Sequence, residues 1–121
     1  MASRRCNALL SEAGLSMALA GVLPAGVLAG ESPLEIRKAL LGLAAYAGCK
    51  ERHAGYSAER AQRIISSGIT SNGWQSQADW LHSPQGVRVV ALTINAMNPS
   101  CDDFDPTNKD FVPAMRAIDA L

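Results

Sequence analysis

The sequence predicts an all-α protein, a compact bundle of five to six short helices forming a single domain over residues 1–121. Three observations carry this expectation. Apolar residues recur at intervals of three and four through most of the chain, the period of a helix with one buried face. Ser, Pro and Gly stand where those periodic stretches begin and end. Only residues 87–94 hold enough β-branched side chains for a strand, and no second stretch offers itself as a pairing partner.

Taken in order, Ser3 can cap a first helix with Cys6, Leu9, Leu10, Ala13 and Met17 on one face, closed by Gly21 and Pro24. Residues 22–30 follow as a turn or short connector. Ser32-Pro33-Leu34-Glu35 is the clearest local signal. Ser32 can accept from the Glu35 amide, Glu35 can reach back, and Pro33 presets the first helical φ. The helix it opens is expected over 33–48. Ile36, Leu40, Leu43, Ala44 and Ala47 form its inward stripe, and Leu34, Leu41 and Ala45 add a second apolar flank, which calls for two packing neighbours.

Ser57 is the expected N-cap of a third helix, with Ala61, Ile64 and Ile65 buried, Arg60 and Arg63 outward, and Gly68 as its stop before a turn over 69–73. Trp74, Ala78 and Leu81 mark a short helical stretch with Trp80 on its other side. Residues 84–97 could be strand or helix. The Ser83-Pro84 start, a length of about 14 residues and the helical stripe Val87, Val90, Ala91, Ile94 and Met97 favour a helix. After a loop over 98–108, Asp110 can cap a last helix bearing Phe111, Met115, Ile118 and Leu121, with Pro113 tolerated in its first turn.

Composition narrows the class. Hydrophobic residues make up 48% of the chain but aromatics only 5%, so the core must be built from Leu, Val, Ile and Ala. Eleven basic and eleven acidic residues cancel, which argues against a protein that coats a polyanion. The charge is uneven: residues 1–70 carry eight bases and five acids, residues 71–121 three bases and six acids. Such a split permits electrostatic self-complementarity within a fold or a dimer. Three cysteines at wide, irregular spacing, Cys6, Cys49 and Cys101, are unlike a disulfide framework, and a reducing cytoplasm is the simpler expectation.

Residues 13–30 are uncharged and follow Arg4-Arg5, so they invite comparison with an export signal or membrane anchor. Pro24, the glycines at 14, 21, 26 and 30, and a high alanine content break the apolar run. Cys6-Asn7-Ala8 follow the arginines where a twin-arginine signal carries hydrophobic residues. No membrane association is therefore expected.

Reactive constellations are weak. Cys49 and His53 share the four-residue spacing of two metal ligands on one helical face, but the further ligands needed are remote single residues such as His82 and Cys101. A thiol nucleophile with a histidine base lacks any local signature. Asp102, Asp103, Asp105 and Asp110 crowd one loop, yet an EF-hand register from Asp103 puts Asn108 at the glycine position and Ala114 at the bidentate glutamate; a solvated turn with Asx-type capping around Pro99 and Pro106 fits better. A helix-turn-helix over 57–81 fails on charge: Glu59, Arg60, Arg63 and Asp79 cancel, and residues 74–81 hold no base to approach phosphate. No stretch carries a family signature. No catalytic residue, metal or cofactor is expected, and no nucleic-acid partner.

The leading functional expectation is a non-enzymatic protein–protein interaction module. It would be a small bacterial-type regulator, antiactivator or immunity-like, that sequesters a protein partner through an apolar helix face and works as a homodimer. More apolar helix face is visible over residues 15–47 than a short antiparallel bundle needs. Leu15, Leu19, Leu34, Leu41 and Tyr46, with Trp74 and Trp80 as aromatic anchors, are the candidate partner-binding residues. The alternative is a small enzyme or ligand-binding helical domain using dispersed residues such as His53, His82, Tyr56 and Asp79. A DNA-binding dimer is the second alternative.

Overall fold

A computed structural model of the chain describes residues 31–121. The expected first helix, and with it Leu15 and Leu19, lies outside the described residues. The rest is all-α: α1 (Pro33–His53), α2 (Ala58–Asn72), a 3-10 helix (Gln75–His82), α3 (Pro84–Ala96) and α4 (Phe111–Asp119).

α1 is the central element, packed against α2, α3 and the 3-10 helix. Both of its apolar flanks are used: Leu40, Ala44 and Ala47 on one, Leu41 and Ala45 on the other, are all buried. α3 runs alongside α1 in the same direction, since Leu41 clusters with Val89, Gly48 meets Ile94, and Arg52 Nη1 donates to Asn95 Oδ1 at 2.8 Å. α2 runs back along α1. It starts where the Tyr56 amide donates to the Lys50 carbonyl, and further on Gly68 lies against Leu43.

Residues 84–96 form a helix, as their start signal predicts. Ser83 Oγ accepts from the Gly86 amide at 3.0 Å, and Pro84 occupies the first turn, where its missing N–H costs nothing. Ser57 caps α2 in the same way, accepting from the Arg60 amide at 3.1 Å.

Two helix ends depart from expectation for one reason. α1 continues past Gly48 to His53, and α2 continues past Gly68 to Asn72. Neither glycine is a stop. A Cβ on Gly48 would run into the Ile94 side chain, and one on Gly68 would come within 2.5 Å of Leu43 Cδ2. Both therefore serve close helix approach, and α2 ends instead at Gly73, whose left-handed φ of 71° needs a residue without a Cβ.

The core gathers Leu41, Trp80, Val89 and Ala117 from α1, the 3-10 helix, α3 and α4, flanked by Leu81, Leu92 and Ile118. This corrects the assignment of Leu41 and Trp80 to a partner surface, since they are 4% and 6% exposed. Trp80 is held on every side. Its Nε1 donates to Gln85 Oε1 at 2.9 Å, the Arg37 guanidinium lies 6.0 Å from its ring, and its carbonyl accepts from the Ser83 amide and hydroxyl. An indole whose N–H finds a partner can be buried at little polar cost.

The cysteines overturn a second expectation. Cys49 of α1 is disulfide-bonded to Cys101 in the loop before α4, across 52 residues of sequence, and both are buried. Wide spacing hid the pair, because the two positions meet only after α1 and α3 have packed. Cys101 adopts a φ of 62°, a left-handed conformation that costs a residue with a Cβ roughly 1–2 kcal/mol. The loop around it supports that geometry. The Asn98 amide donates to the Asp103 carbonyl at 2.9 Å, the Asp105 amide to the Ala96 carbonyl at 2.8 Å, and Asn98 Nδ2 to Asp102 Oδ1 at 2.8 Å.

The acidic loop is an Asx-type turn, as expected. Asp105 Oδ1 accepts from the Thr107 hydroxyl at 2.6 Å and from the Thr107 amide at 3.0 Å, which holds its carboxyl below the usual carboxylate range. Asp110 sits at the N-cap position of α4 but does not cap it; its carboxylate lies 3.2 Å from Lys109 Nζ instead.

Candidate functional site: a groove between α2 and α3

α1 has a helix on either side, and the space between those two flanking helices is not filled. A groove of about 450 Å³ runs there, with α1 as its floor, α2 and α3 as its walls and the 3-10 helix across one end. The local sequence explains its depth. The floor carries Ala44 and Gly48, small residues one turn apart, so little side chain rises between the walls. The walls supply branched aliphatics, chiefly Ile65 and Ile69 from α2, and Val90 and Ile94 from α3.

The wall helices are incompletely covered. α2 has one fully buried residue, Ala61, although its apolar residues fall on one face; Ile64, Ile65 and Ile69 remain half-buried. On α3, Val87 is 56% exposed at the groove edge. By the rise of an α-helix, the wall stretches Val87–Ile94 and Ala58–Ile69 give the groove a length of roughly 10–16 Å.

Its polar groups sit at the ends. Glu51 lies near the carboxyl end of α1, beside the start of α2, with Gln62 close by; Asp79 and His82 come from the 3-10 helix, at the opposite end. Among the described residues, no lysine or arginine lines the groove.

The sequence-based candidates divide around this site. Asp79 and His82, two of the four dispersed residues of the ligand-binding alternative, line the groove. The other two do not: His53 is the exposed last residue of α1, and Tyr56 lies half-buried under the Arg60 guanidinium, 3.6 Å from its ring centroid. Leu34 and Tyr46 of the proposed partner face are on the surface at 41% and 39% exposure, and Trp74 is half-buried at the start of the 3-10 helix. None of these three lines the groove.

Of the α2 wall residues, the sequence marks Ala61 and Ile65 as the buried side of a helix, whereas it places Ile69 in a turn and gives no sign for Ala58. What the sequence could have signalled is the Ala44/Gly48 pair, whose spacing makes a low floor beneath flanking helices.

Reactive alternatives lose their groups. With Cys49 and Cys101 bonded to each other, neither offers a thiolate to a metal or to His53. Among the described residues, no set of three His, Cys, Asp or Glu is placed to hold a metal ion, and no helix is long and apolar enough to cross a membrane. Compared with known proteins, the chain matches no family model, and neither a curated protein nor a solved structure is significantly similar to it.

Proposed function

We propose that the protein is a binding protein rather than an enzyme, and that the groove between α2 and α3 receives the apolar body of a small ligand. The carrying observation is the groove itself: about 450 Å³, walled by aliphatic side chains with a few polar groups at its ends. Ligand sites of small molecules have this size and this composition. The half-covered Ile65 and Ile69 of α2 support the same reading, since an occupant would remove their remaining apolar surface from water at about 25 cal/mol per Å².

The sequence-based reading, sequestration of a protein partner by a regulator acting as a homodimer, keeps one supporting observation. Val87 at the groove edge and Leu34 and Tyr46 of α1 remain exposed. In that reading the apolar stripe of a partner helix occupies the groove, in the manner of helix-in-groove recognition.

The compartment we propose is an oxidising one, in place of the cytoplasm expected from the cysteine count. The support is the Cys49–Cys101 bond, of a kind that forms and persists where thiols are not kept reduced.

The test of the groove is Ala91→Trp. Ala91 is an exposed lining residue of α3, so the indole enters the groove without entering the core. The wild-type chain is expected to bind dodecanol one to one by calorimetry, and Ala91→Trp to lose that binding while keeping its unfolding midpoint. Equal binding by both proteins, or none by the wild type, overturns the ligand reading. If a partner helix and not the alcohol is displaced by the tryptophan, the protein-partner reading replaces it.

A further inference from the structure

Resting on the groove as a ligand site, the placement of its charges specifies what the ligand carries at its ends. Glu51 and Asp79 are both exposed, and both line the groove from opposite ends with apolar wall between them. Neither makes an ion pair or hydrogen bond with a described residue; the salt bridge of the described chain joins Lys109 to Asp110 elsewhere. Glu51 has a base on either side in sequence, Lys50 and Arg52; Arg52 is engaged with Asn95 at 2.8 Å, and neither lines the groove. The lining thus offers a carboxylate at each end, and no cation among the described residues.

We infer that the groove selects a long, apolar dication: an alkyl chain bearing an ammonium group at each end, with the chain against Ile65, Ile69, Val90 and Ile94 and the two ammonium groups beside Glu51 and Asp79. An alkyl carboxylate would put like charges together at whichever end it faced. A neutral chain would gain the apolar contacts but neither ion pair. His82 lines the groove at the same end as Asp79.

The length agrees. Fully extended, dodecanediamine spans a distance comparable with the roughly 10–16 Å given by the helix rise along the walls.

The test is calorimetric titration of the intact, oxidised protein with dodecanediamine, dodecylamine, dodecanol and dodecanoate, each below its aggregation concentration and all at one pH and ionic strength. The expected order of affinity is diamine, monoamine, alcohol, carboxylate. Each exposed ion pair is expected to contribute about two- to fivefold, and to weaken with added salt.

Glu51→Gln and Asp79→Asn sharpen the assignment. Each is expected to lower diamine affinity by about two- to fivefold. The monoamine, which can enter in either direction, should lose little to one substitution and more to both. Unfolding midpoints of the variants should match the wild type, since both side chains are exposed and unpaired.

Equal affinity for all four chains would sink the dication inference and leave the apolar groove standing. Binding of none would remove the groove as a ligand site altogether. Diamine binding indifferent to both substitutions would also overturn the assignment of Glu51 and Asp79.

Discussion

Cys49 and Cys101, 52 residues apart in sequence, are joined by a disulfide that ties the last turns of α1 to the loop in front of α4. Closing a loop of that length removes denatured-state entropy equivalent to about 4 kcal/mol in the chain-entropy model. That is a large part of the 5–15 kcal/mol by which small domains are typically stable. Reduction, or the double replacement Cys49→Ala/Cys101→Ala, is expected to lower unfolding free energy by about 2–4 kcal/mol in urea titrations. A reductant that leaves the midpoint unchanged would show that the bond contributes nothing.

Gly42 of α1 and Gly86 of α3 should respond to alanine with opposite signs. Nothing lies within 4 Å of a Cβ added at Gly42, an exposed position in α1, so Gly42→Ala should stabilise by roughly 1 kcal/mol through helix propensity. At Gly86 the added Cβ meets the Trp80 carbonyl oxygen, a backbone atom that cannot rotate away. Gly86→Ala should therefore destabilise by about 1–3 kcal/mol. Thermal unfolding of the two variants reads the contrast directly.

Trp80 is a core residue, and its removal should behave accordingly. Trp80→Ala is expected to cost about 3–5 kcal/mol, the range for deleting a large buried aromatic. Leu34→Ala, at an exposed position of the same apolar class, should stay within about 0.5 kcal/mol. Comparable losses at both sites would contradict the burial described above.

Thr107 holds the Asp105 carboxyl below its usual range through hydroxyl and amide hydrogen bonds. A carboxylate whose folded value is depressed contributes stability that is present above its unfolded value and lost as pH falls through the folded one. In Thr107→Val the hydroxyl contribution disappears and the amide remains, so the Asp105 value should rise toward the ordinary carboxylate range without fully reaching it. Carbon-detected NMR titration of Asp105 in the two proteins would expose an unmoved value.

Much of the helical framework could be read from the residues. The starts at Ser57 and Ser83-Pro84 rest on a hydroxyl one residue ahead of a helix, a contact made within three residues and so independent of the rest of the chain. The same is true of the Asx turn at Asp105. The choice of helix over strand at Pro84 rests partly on that same locality, through Ser83-Pro84, and partly on the length of the stretch and the lack of a second strand to pair with.

Half of the candidate site was visible as well. Asp79 and His82 were singled out as residue types, and both line the groove; Glu51, at its other end, looked like an ordinary surface acid because nothing in its neighbours marks it. Leu41 and Trp80, read as surface, are core because the helices bring them to one point from 39 residues apart.

By itself the sequence determined the class of fold and most of the helix starts, because periodicity and capping act over a few residues. Tertiary structure alone decided that Gly48 and Gly68 are contact points instead of helix ends, that Cys49 reaches Cys101, and that α2 and α3 stand apart over the small residues of α1. Each depends on which faces meet after packing, and the distance between faces is a property of the assembled helices that no local interaction encodes.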